Sequence, residues 1–256
     1  MKVASFNVNS IRARIDIVLQ WLNEESPDVL CIQETKVIDG DFPLGVFKDI
    51  NYNVVFRGEK SYNGVAIISK HKIDNVRFGF DDKESEGTRL ISATIKKIQV
   101  VNTYIPQGYE PLSDKFRYKL DWFQRLHDYF SQHFSPDKPL LWLGDFNVAP
   151  EPMDVHDPKK LLGQVGYHPD EHAALKRLQD WGFIDIFRQH QPGPEQYTFW
   201  DYRVKNAVKR KVGWRVDHIW ATKPLARKSI NAWIDIKPRL KERPSDHTPI
   251  VAEFKI

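Results

Sequence analysis

Leu140-Leu141-Trp142-Leu143-Gly144-Asp145-Phe146-Asn147 passes from an unbroken apolar run into a polar turn. Opened by Pro139 and closed by Gly-Asp, the run reads as a short buried strand with chemistry-bearing side chains at its exit. The pattern recurs along the chain. Lys2 to Asn7 ends in Asn7-Val8-Asn9, and Val29 to Ile32 leads into Gln33-Glu34-Thr35-Lys36. Arg215-Val216-Asp217 opens a strand reaching Ala221, and Ser245-Asp246-His247 precedes another, Ile250 to Phe254. Gly64 to Ser69, Leu90 to Ile95 and Val100 to Tyr104 are further strand patterns. Between them, Ser10 is placed to cap a helix whose apolar face is Ile11, Ile15, Val18, Leu19 and Leu22, ended by Pro27. Phe116, Leu120, Phe123 and Phe130 mark a second helix, and Pro169 begins a third with Gly182 just past its end. Strands outnumber helices and their order is irregular. The pattern predicts an α/β sandwich rather than a regular alternating βαβ array.

The chain has 256 residues, 41% of them hydrophobic, and a formal net charge of +4. With no internal repeat, low-complexity tract or flexible linker, one domain over residues 1–256 is expected. No apolar run approaches the roughly 20 residues needed to cross a bilayer, and the N-terminus turns polar too early for a signal peptide. A cytoplasmic location is therefore expected, at the nucleoid if the source is bacterial. Cys31 is the single cysteine, which excludes an internal disulfide and a cysteine-based metal cluster; within Val29-Leu30-Cys31-Ile32 it reads as a packed thiol. The stretch RVKNAVKRKVGWR carries Arg203, Lys205, Lys209, Arg210, Lys211 and Arg215 without an acid, which by itself describes a solvated loop.

Each polar cluster alone has an ordinary structural reading: a turn, a satisfied carboxylate, a packed histidine. Together, at strand ends where loops converge, they form a hard, oxygen-rich donor set suited to magnesium or manganese. Zinc is disfavoured, since there is no H-E-x-x-H and no cysteine pair, and His168 with His172 reads as a solvent-facing pair. No G-x-S-x-G is present, which disfavours a serine hydrolase. Attack of water on phosphorus is the reaction left for a metal, a carboxylate base and an oriented histidine.

The motifs FNVNSIRAR, PDVLCIQETK, NGVAIISK, NTYIPQG, LWLGDFNVAP, YTFWDYR, VGWRVDHIWAT and RPSDHTPI follow one another over essentially the whole chain. In this order the sequence resembles the exonuclease III family of apurinic/apyrimidinic endonucleases, within the endonuclease/exonuclease/phosphatase superfamily. The resemblance implies a four-layered α/β sandwich, two mixed β-sheets packed face to face with helices outside. It implies a magnesium-dependent hydrolase, with manganese as a substitute, that cuts DNA 5′ to abasic sites and leaves a 3′-hydroxyl. Exonuclease action from 3′ ends and removal of 3′-blocking groups accompany that activity in the family.

By the same resemblance, Glu34 falls on the main metal ligand and Asn7 and Asp246 on its neighbours, with Asp145 and Asn147 beside the ion. Asp145 matches the carboxylate that activates water, and Asn147 the amide that holds it. His247 matches the histidine on the scissile phosphate, Asp217 the aspartate orienting it, and Tyr104 a phosphate-contacting tyrosine. Arg203, Lys205, Lys209, Arg210, Lys211 and Gln107 fall on DNA-facing surface. Phe199, Trp214 and Val216 match the apolar pocket for a base-free sugar, while Trp200 and Tyr202 read as packing. Double-stranded DNA with abasic sites or 3′ ends is the partner implied, for a monomer. Asn9 replaces an aspartate of some members, which puts a second metal in doubt, and Gln164 and His168 match the pattern only loosely. A phosphatase or sphingomyelinase of the superfamily, and a DNA-binding protein that retains only the fold, are the competing readings.

Overall fold

The computed structural model describes residues 1–80 and 84–256. Twelve strands build it: β1 (Lys2–Asn7), β2 (Val29–Gln33), β3 (Asn53–Arg57), β4 (Val65–Ser69), β5 (Asp74–Phe78), β6 (Leu90–Ile95), β7 (Ile98–Tyr104), β8 (Leu140–Asp145), β9 (Phe183–Asp185), β10 (Asp217–Thr222), β11 (Ser229–Ile234) and β12 (Ile250–Phe254). They form two six-stranded sheets, ordered β11-β12-β1-β2-β4-β3 and β5-β6-β7-β8-β10-β9. Three long helices accompany them: α1 (Ile11–Glu25), α2 (Asp114–His133) and α3 (Pro169–Trp181).

Both sheets are mixed, and each contains one parallel pair, β1 with β2 and β7 with β8. The helix between the partners, α1 in one case and α2 in the other, makes each pair a βαβ unit, the connection that parallel strands require. Loops leaving the carboxyl ends of such strands are the usual place for a binding site. Asn7, Gln33, Tyr104 and Asp145 are the last residues of those four strands. The two units thus deliver their polar termini from both sheets.

Apolar residues on the facing sides, among them Val3, Cys31, Ile67, Ile91, Val100, Leu141, Ile219 and Ile250, form the central core. The outer face of the first sheet packs with α1 through Phe6, Ile32, Val18 and Leu22. The outer face of the second packs with α2 and α3 through Val101, Trp142, Phe123 and Leu178. This is the four-layered sandwich. Each such fully buried side chain contributes roughly 1.5–3 kcal/mol, so the layers rest mainly on apolar burial. One polar bridge crosses the central core: Gln33 Nε2 donates to Asn102 Oδ1 at 2.7 Å, and Asn102 Nδ2 donates to the carbonyls of Ile32 and Ala66. Cys31 is fully buried and its thiol pKa is pushed up by that burial, in keeping with a packed thiol.

Helix boundaries follow local chemistry, with one correction. Ser113 caps α2 by accepting from Phe116 N at 3.2 Å, and α3 runs from Pro169 to Trp181 before Gly182. Ser10, expected to cap α1, makes no side-chain cap bond, because its φ of 92° lies outside the usual capping conformation. The amides of Ser10 and Ile11 bond instead to the carbonyls of Glu34 and Thr35, at 2.8 and 3.1 Å. The start of α1 is therefore pinned to the loop that carries Glu34.

Candidate active site

Asp145 closes β8 and is 1% exposed. Its placement depends on Gly144, whose φ is 146° and whose missing Cβ would stand 1.9 Å from the Thr103 carbonyl of the adjacent strand. Asn7, on β1, donates through Nδ2 both to Glu34 Oε1 and to Asp145 Oδ2, at 2.8 Å each, while its Oδ1 accepts from Asn9 N. One amide thus ties the two sheets together at the cluster, with its nitrogen rather than its oxygen toward the carboxylates. Glu34 and Asn147 both adopt left-handed backbone, φ 55° and 52°. For Glu34, which has none of the local compensation available to asparagine, this is strain of the kind found at functional sites.

Opposite them, His247 Nδ1 donates to Asp217 Oδ2 at 2.8 Å, which leaves Nε2 on the side of Asp145, 3.9 Å from Oδ2. Burial alone would lower the His247 pKa, but the charges of Asp217 and Asp145 and the hydrogen bond to Asp217 lift it to about 10. His247 is therefore an imidazolium at neutral pH, a donor through Nε2. Although its ring nitrogen lies with Glu34 and Asp145 oxygens in a group spanning no more than 4.8 Å, a protonated nitrogen has no lone pair for a metal. Burial pushes the Asp145 carboxyl up, to about 7, with His247 opposing and Asp217 adding to the rise. Burial also leads the forces on Glu34, but the charge of Lys36, the hydrogen bonds from Asn7 and Lys36 and the charge of His247 together outweigh it and hold the carboxyl below its ordinary value. The Tyr104 hydroxyl is raised by burial, then by the charges of Glu34 and Asp145.

Asp246 is held one bond away: Asn9 Nδ2 donates to its Oδ1 at 2.9 Å, and Lys36 Nζ bridges Asn9 Oδ1 and Glu34 Oε2 at 2.5 and 2.6 Å. Asn147 N donates to Asp145 Oδ1, and its side-chain nitrogen to Ile105 O, both at 2.9 Å. Glu34, Asp145, Asp217 and Asp246 thus bring four carboxyl groups against two cations, Lys36 and His247. That imbalance, in an all-oxygen donor set, fits a hard divalent cation.

The pocket residues also converge. A cavity of about 280 Å³ is lined by Phe199, Trp214 and Val216 together with His247, Asn147, Gln107 and Arg203. Val165, Gly166, His156 and Val212 join them, unforeseen from the sequence. A second cavity of about 400 Å³ leaves Glu34 and Tyr104 toward Tyr62, Tyr109, Arg89 and Lys115, another surface that sequence reasoning missed. Exposed tyrosines beside arginine and lysine in the loops after two strands were the available signal.

Three expectations are corrected. Arg215 is not part of a solvated basic loop. It is fully buried and holds Asp154 with a two-point contact at 2.7 and 3.0 Å, and Asp185 at 2.8 Å. Acids from elsewhere also meet the run: Asp201 binds Arg203 and Glu195 binds Lys211, while Lys205, Lys209 and Arg210 are exposed. His168 and His172 are not a solvent-facing pair, because His168 caps α3 through Asp170 N and His172 Nε2 bonds Ala149 O. Tyr202 is half-exposed and donates to Pro244 O, whereas Trp200 packs as expected. Gln164 is exposed and does not line the pocket.

Lys119 and Glu171 are the other residues that the sequence did not disclose. Both are fully buried and paired, and Lys119 Nζ also donates to the carbonyls of Gln107 and Asn147, at 3.1 and 2.8 Å. Glu171 Oε2 accepts from Gly166 N and His168 N. This one ion pair fastens three loops around the cavity.

Two stacked mixed sheets, with an acid–amide–imidazolium cluster at the carboxyl ends of their parallel strands, define a hydrolase of phosphate esters. The model of the endonuclease/exonuclease/phosphatase family matches residues 4–247. The exodeoxyribonuclease III of Haemophilus influenzae is 34% identical over the full length of both chains. An AP endonuclease structure from Archaeoglobus fulgidus superposes with a TM-score of 0.98 at 49% identity, covering both chains completely. A 3′-5′ exonuclease from Neisseria meningitidis does so with a TM-score of 0.94 at 35% identity, again over both chains. The chain belongs to the endonuclease/exonuclease/phosphatase family, in its exodeoxyribonuclease III and AP endonuclease branch. It is a DNA repair nuclease. Among the described residues no helix is long and apolar enough to cross a membrane.

Proposed function

We propose that the chain, acting as one domain over residues 1–256 and as a monomer, hydrolyses duplex DNA on the 5′ side of abasic sites. The observation that carries this reading is a shared wall: His247 and Asn147 belong both to the catalytic cluster and to the cavity lined by Phe199, Trp214 and Val216. An apolar pocket of about 280 Å³ opening onto the hydrolytic group is suited to an extruded sugar without its base, and extrusion is cheapest where no base pair is lost.

Glu34 and Asp246 would hold magnesium, with manganese as a substitute, and Asn7, Asp145 and Asn147 would surround it. Such an ion supplies Lewis acidity and charge neutralisation at the phosphate. The remaining work belongs to side chains. His247, kept cationic by Asp217, donates through Nε2 to a non-bridging phosphate oxygen, a charge-assisted bond made stronger by burial. Tyr104, its hydroxyl kept protonated, donates to the same phosphate. Asp145 accepts the proton of the attacking water, held by Asn147, and the 3′-oxygen departs. Arg203, Lys205, Lys209, Arg210, Lys211 and Gln107 contact the duplex, and the Tyr62–Tyr109 groove continues its path. Removal of 3′-blocking groups uses the same attack. Where bacterial, the enzyme would work in the cytoplasm at the nucleoid.

Incubation with a duplex bearing one synthetic abasic site, with magnesium or with EDTA, tests the reading. A 3′-hydroxyl product that needs magnesium is expected. A β-elimination end, or equal cutting of intact duplex, would overturn it.

A further inference from the structure

The cavity of about 280 Å³ beside His247 has two walls with separate supports. Phe199, Trp214 and Val216 form one of them. Phe199 N and Trp214 N donate to each other's carbonyls at 2.9 and 3.0 Å, and Val216 N donates to Thr198 Oγ1 at 3.1 Å. Gln107, Asn147, Val165 and Gly166 form the other wall, and none of these four lies in a strand or helix. They come from three loops, joined by one backbone bond from Ala149 N to Gly166 O at 2.7 Å.

The second wall hangs on one ion pair. Lys119 of α2 directs its three ammonium donors to Gln107 O at 3.1 Å, Asn147 O at 2.8 Å and Glu171 Oε1. Glu171, in the first turn of α3, accepts at Oε2 from Gly166 N at 2.8 Å and from His168 N at 3.1 Å. Gly108 lets its loop lie close over the lysine stem, since a Cβ there would stand 3.1 Å from Lys119 Cδ. Both charged side chains are fully buried. A buried pair of this kind adds little net stability over apolar residues of the same volume. What it supplies here is direction, because each of its bonds to the loops holds one backbone group of the wall. Among the described residues it makes no bond to Glu34, Asp145 or His247, which are held by Lys36, Asn7 and Asp217.

We infer that Lys119 and Glu171 are positioning residues that set the gap between the two walls, and with it the preference for a base-free sugar over a full nucleotide. This rests on the reading of the cavity as the seat of the extruded sugar. Gly166 carries the gap: it stands against the Trp214 ring, where a Cβ would come within 3.3 Å of Cζ3. Freed from Glu171 and Lys119, Gly166 and Gln107 can move outward and widen the cavity. A small sugar then loses its wall contacts, whereas a nucleotide with its base still reaches both sides.

Two substrates test this in the full chain with magnesium: a duplex bearing one synthetic abasic site, and an intact duplex that loses its 3′-terminal nucleotide. Single-turnover rates give a ratio of abasic incision to nucleotide removal, which a role in stability alone would leave unchanged. Lys119→Met and Glu171→Gln should each lower that ratio by about tenfold, within the range that fit in an apolar pocket discriminates. Lys119→Arg, which keeps a cation with several donors, should recover most of it. The Lys119→Met, Glu171→Gln double variant leaves no unpaired buried charge, so it should fold and show the same lowered ratio. Its affinity for uncut abasic duplex relative to intact duplex, measured in EDTA, should fall in parallel. A parent-like ratio in the double variant, or equal losses on both substrates, would overturn the inference while the parent still cuts the abasic duplex. A parent that leaves the abasic duplex uncut would overturn the functional reading, and this inference with it.

Discussion

Asp217 and His218 are neighbours on β10, and they belong to two buried charged clusters with opposite designs. On the side of His218, Asp154 and Asp185 meet Arg215 and Arg188, two acids against two bases. Arg215 donates to His218 Nδ1 and His218 Nε2 donates to Val148 O, so both ring nitrogens are used and the ring is neutral. Burial, then the charge of Arg215, lowers its pKa to about 4. On the side of Asp217, four carboxyl groups have two cations, Lys36 and His247, in direct contact, and among the described residues Asp217 Oδ1 has no hydrogen-bond partner. There the histidine is lifted to about 10 and opens onto a cavity. Charge that cancels internally belongs to the scaffold, while charge left in excess at a cavity wall is available to a cation and a phosphate.

The comparison breaks if the two clusters respond alike to amide substitution. Asp145→Asn should lower single-turnover cleavage by about 10²–10⁴, the usual worth of a general base. DNA affinity should persist and thermal stability should hold or rise, because the change removes a carboxyl whose burial disfavours its charge. Parent-like turnover would remove Asp145 from the base role. Asp154→Asn should leave Arg215 and Arg188 underpaired and cost about 3–5 kcal/mol of unfolding free energy, read by denaturant titration, with turnover at low temperature little changed. A loss of activity without a loss of stability would place Asp154 in the catalytic machinery.

Legibility in the sequence followed burial. All eight strands expected from apolar runs are present, and the four not anticipated, β3, β5, β9 and β11, are the four sheet edges. Edge strands are covered on fewer sides, so β5 reads Asp74-Asn75-Val76-Arg77-Phe78 and β11 is half-exposed, with no unbroken apolar run to detect. The cluster was legible because its residues stand in short motifs at the ends of buried strands. Lys119, Glu171 and Asp154 were not, since their partners lie 52 and 61 residues away and nothing local distinguishes them from surface charges. Arg215 was read with its basic neighbours for the same reason. The pairing of two βαβ units across the sheets was equally invisible, as it is a property of topology and not of any segment.

The two histidines give the comparison a pH signature of opposite sign. His247 is raised from 6.5 to about 10, so its contribution is complete below pH 6.5 and is lost as pH climbs through 10. His218 is lowered from 6.5 to about 4, so the unfolded chain takes the proton first and stability is lost as pH falls from 6.5 toward 4. Melting temperatures across pH 4 to 10.5 should show His218→Gln narrowing its deficit against the parent on the acid side, and His247→Gln narrowing its own on the alkaline side. Deficits that stay constant with pH would mean that neither ring titrates in this way.

The smallest effect concerns the basic run, where the same contrast between spent and available charge appears at the surface. Lys209 and Arg210 are exposed, while Lys211 is engaged by Glu195 and Arg203 by Asp201. A free lysine neutralising one phosphate releases about 0.9 counterion, so Lys209→Gln should flatten the slope of log affinity against log salt by about 1 on an uncut abasic duplex. Lys211 must first leave Glu195, which returns a charge to the interface as the lysine reaches the phosphate. Lys211→Gln should therefore change the slope by less than Lys209→Gln, while Glu195→Gln should steepen it. Equal slopes for Lys209→Gln and the parent would take Lys209 off the DNA path, and a larger change at Lys211 would show that the Glu195 pair does not hold it in solution.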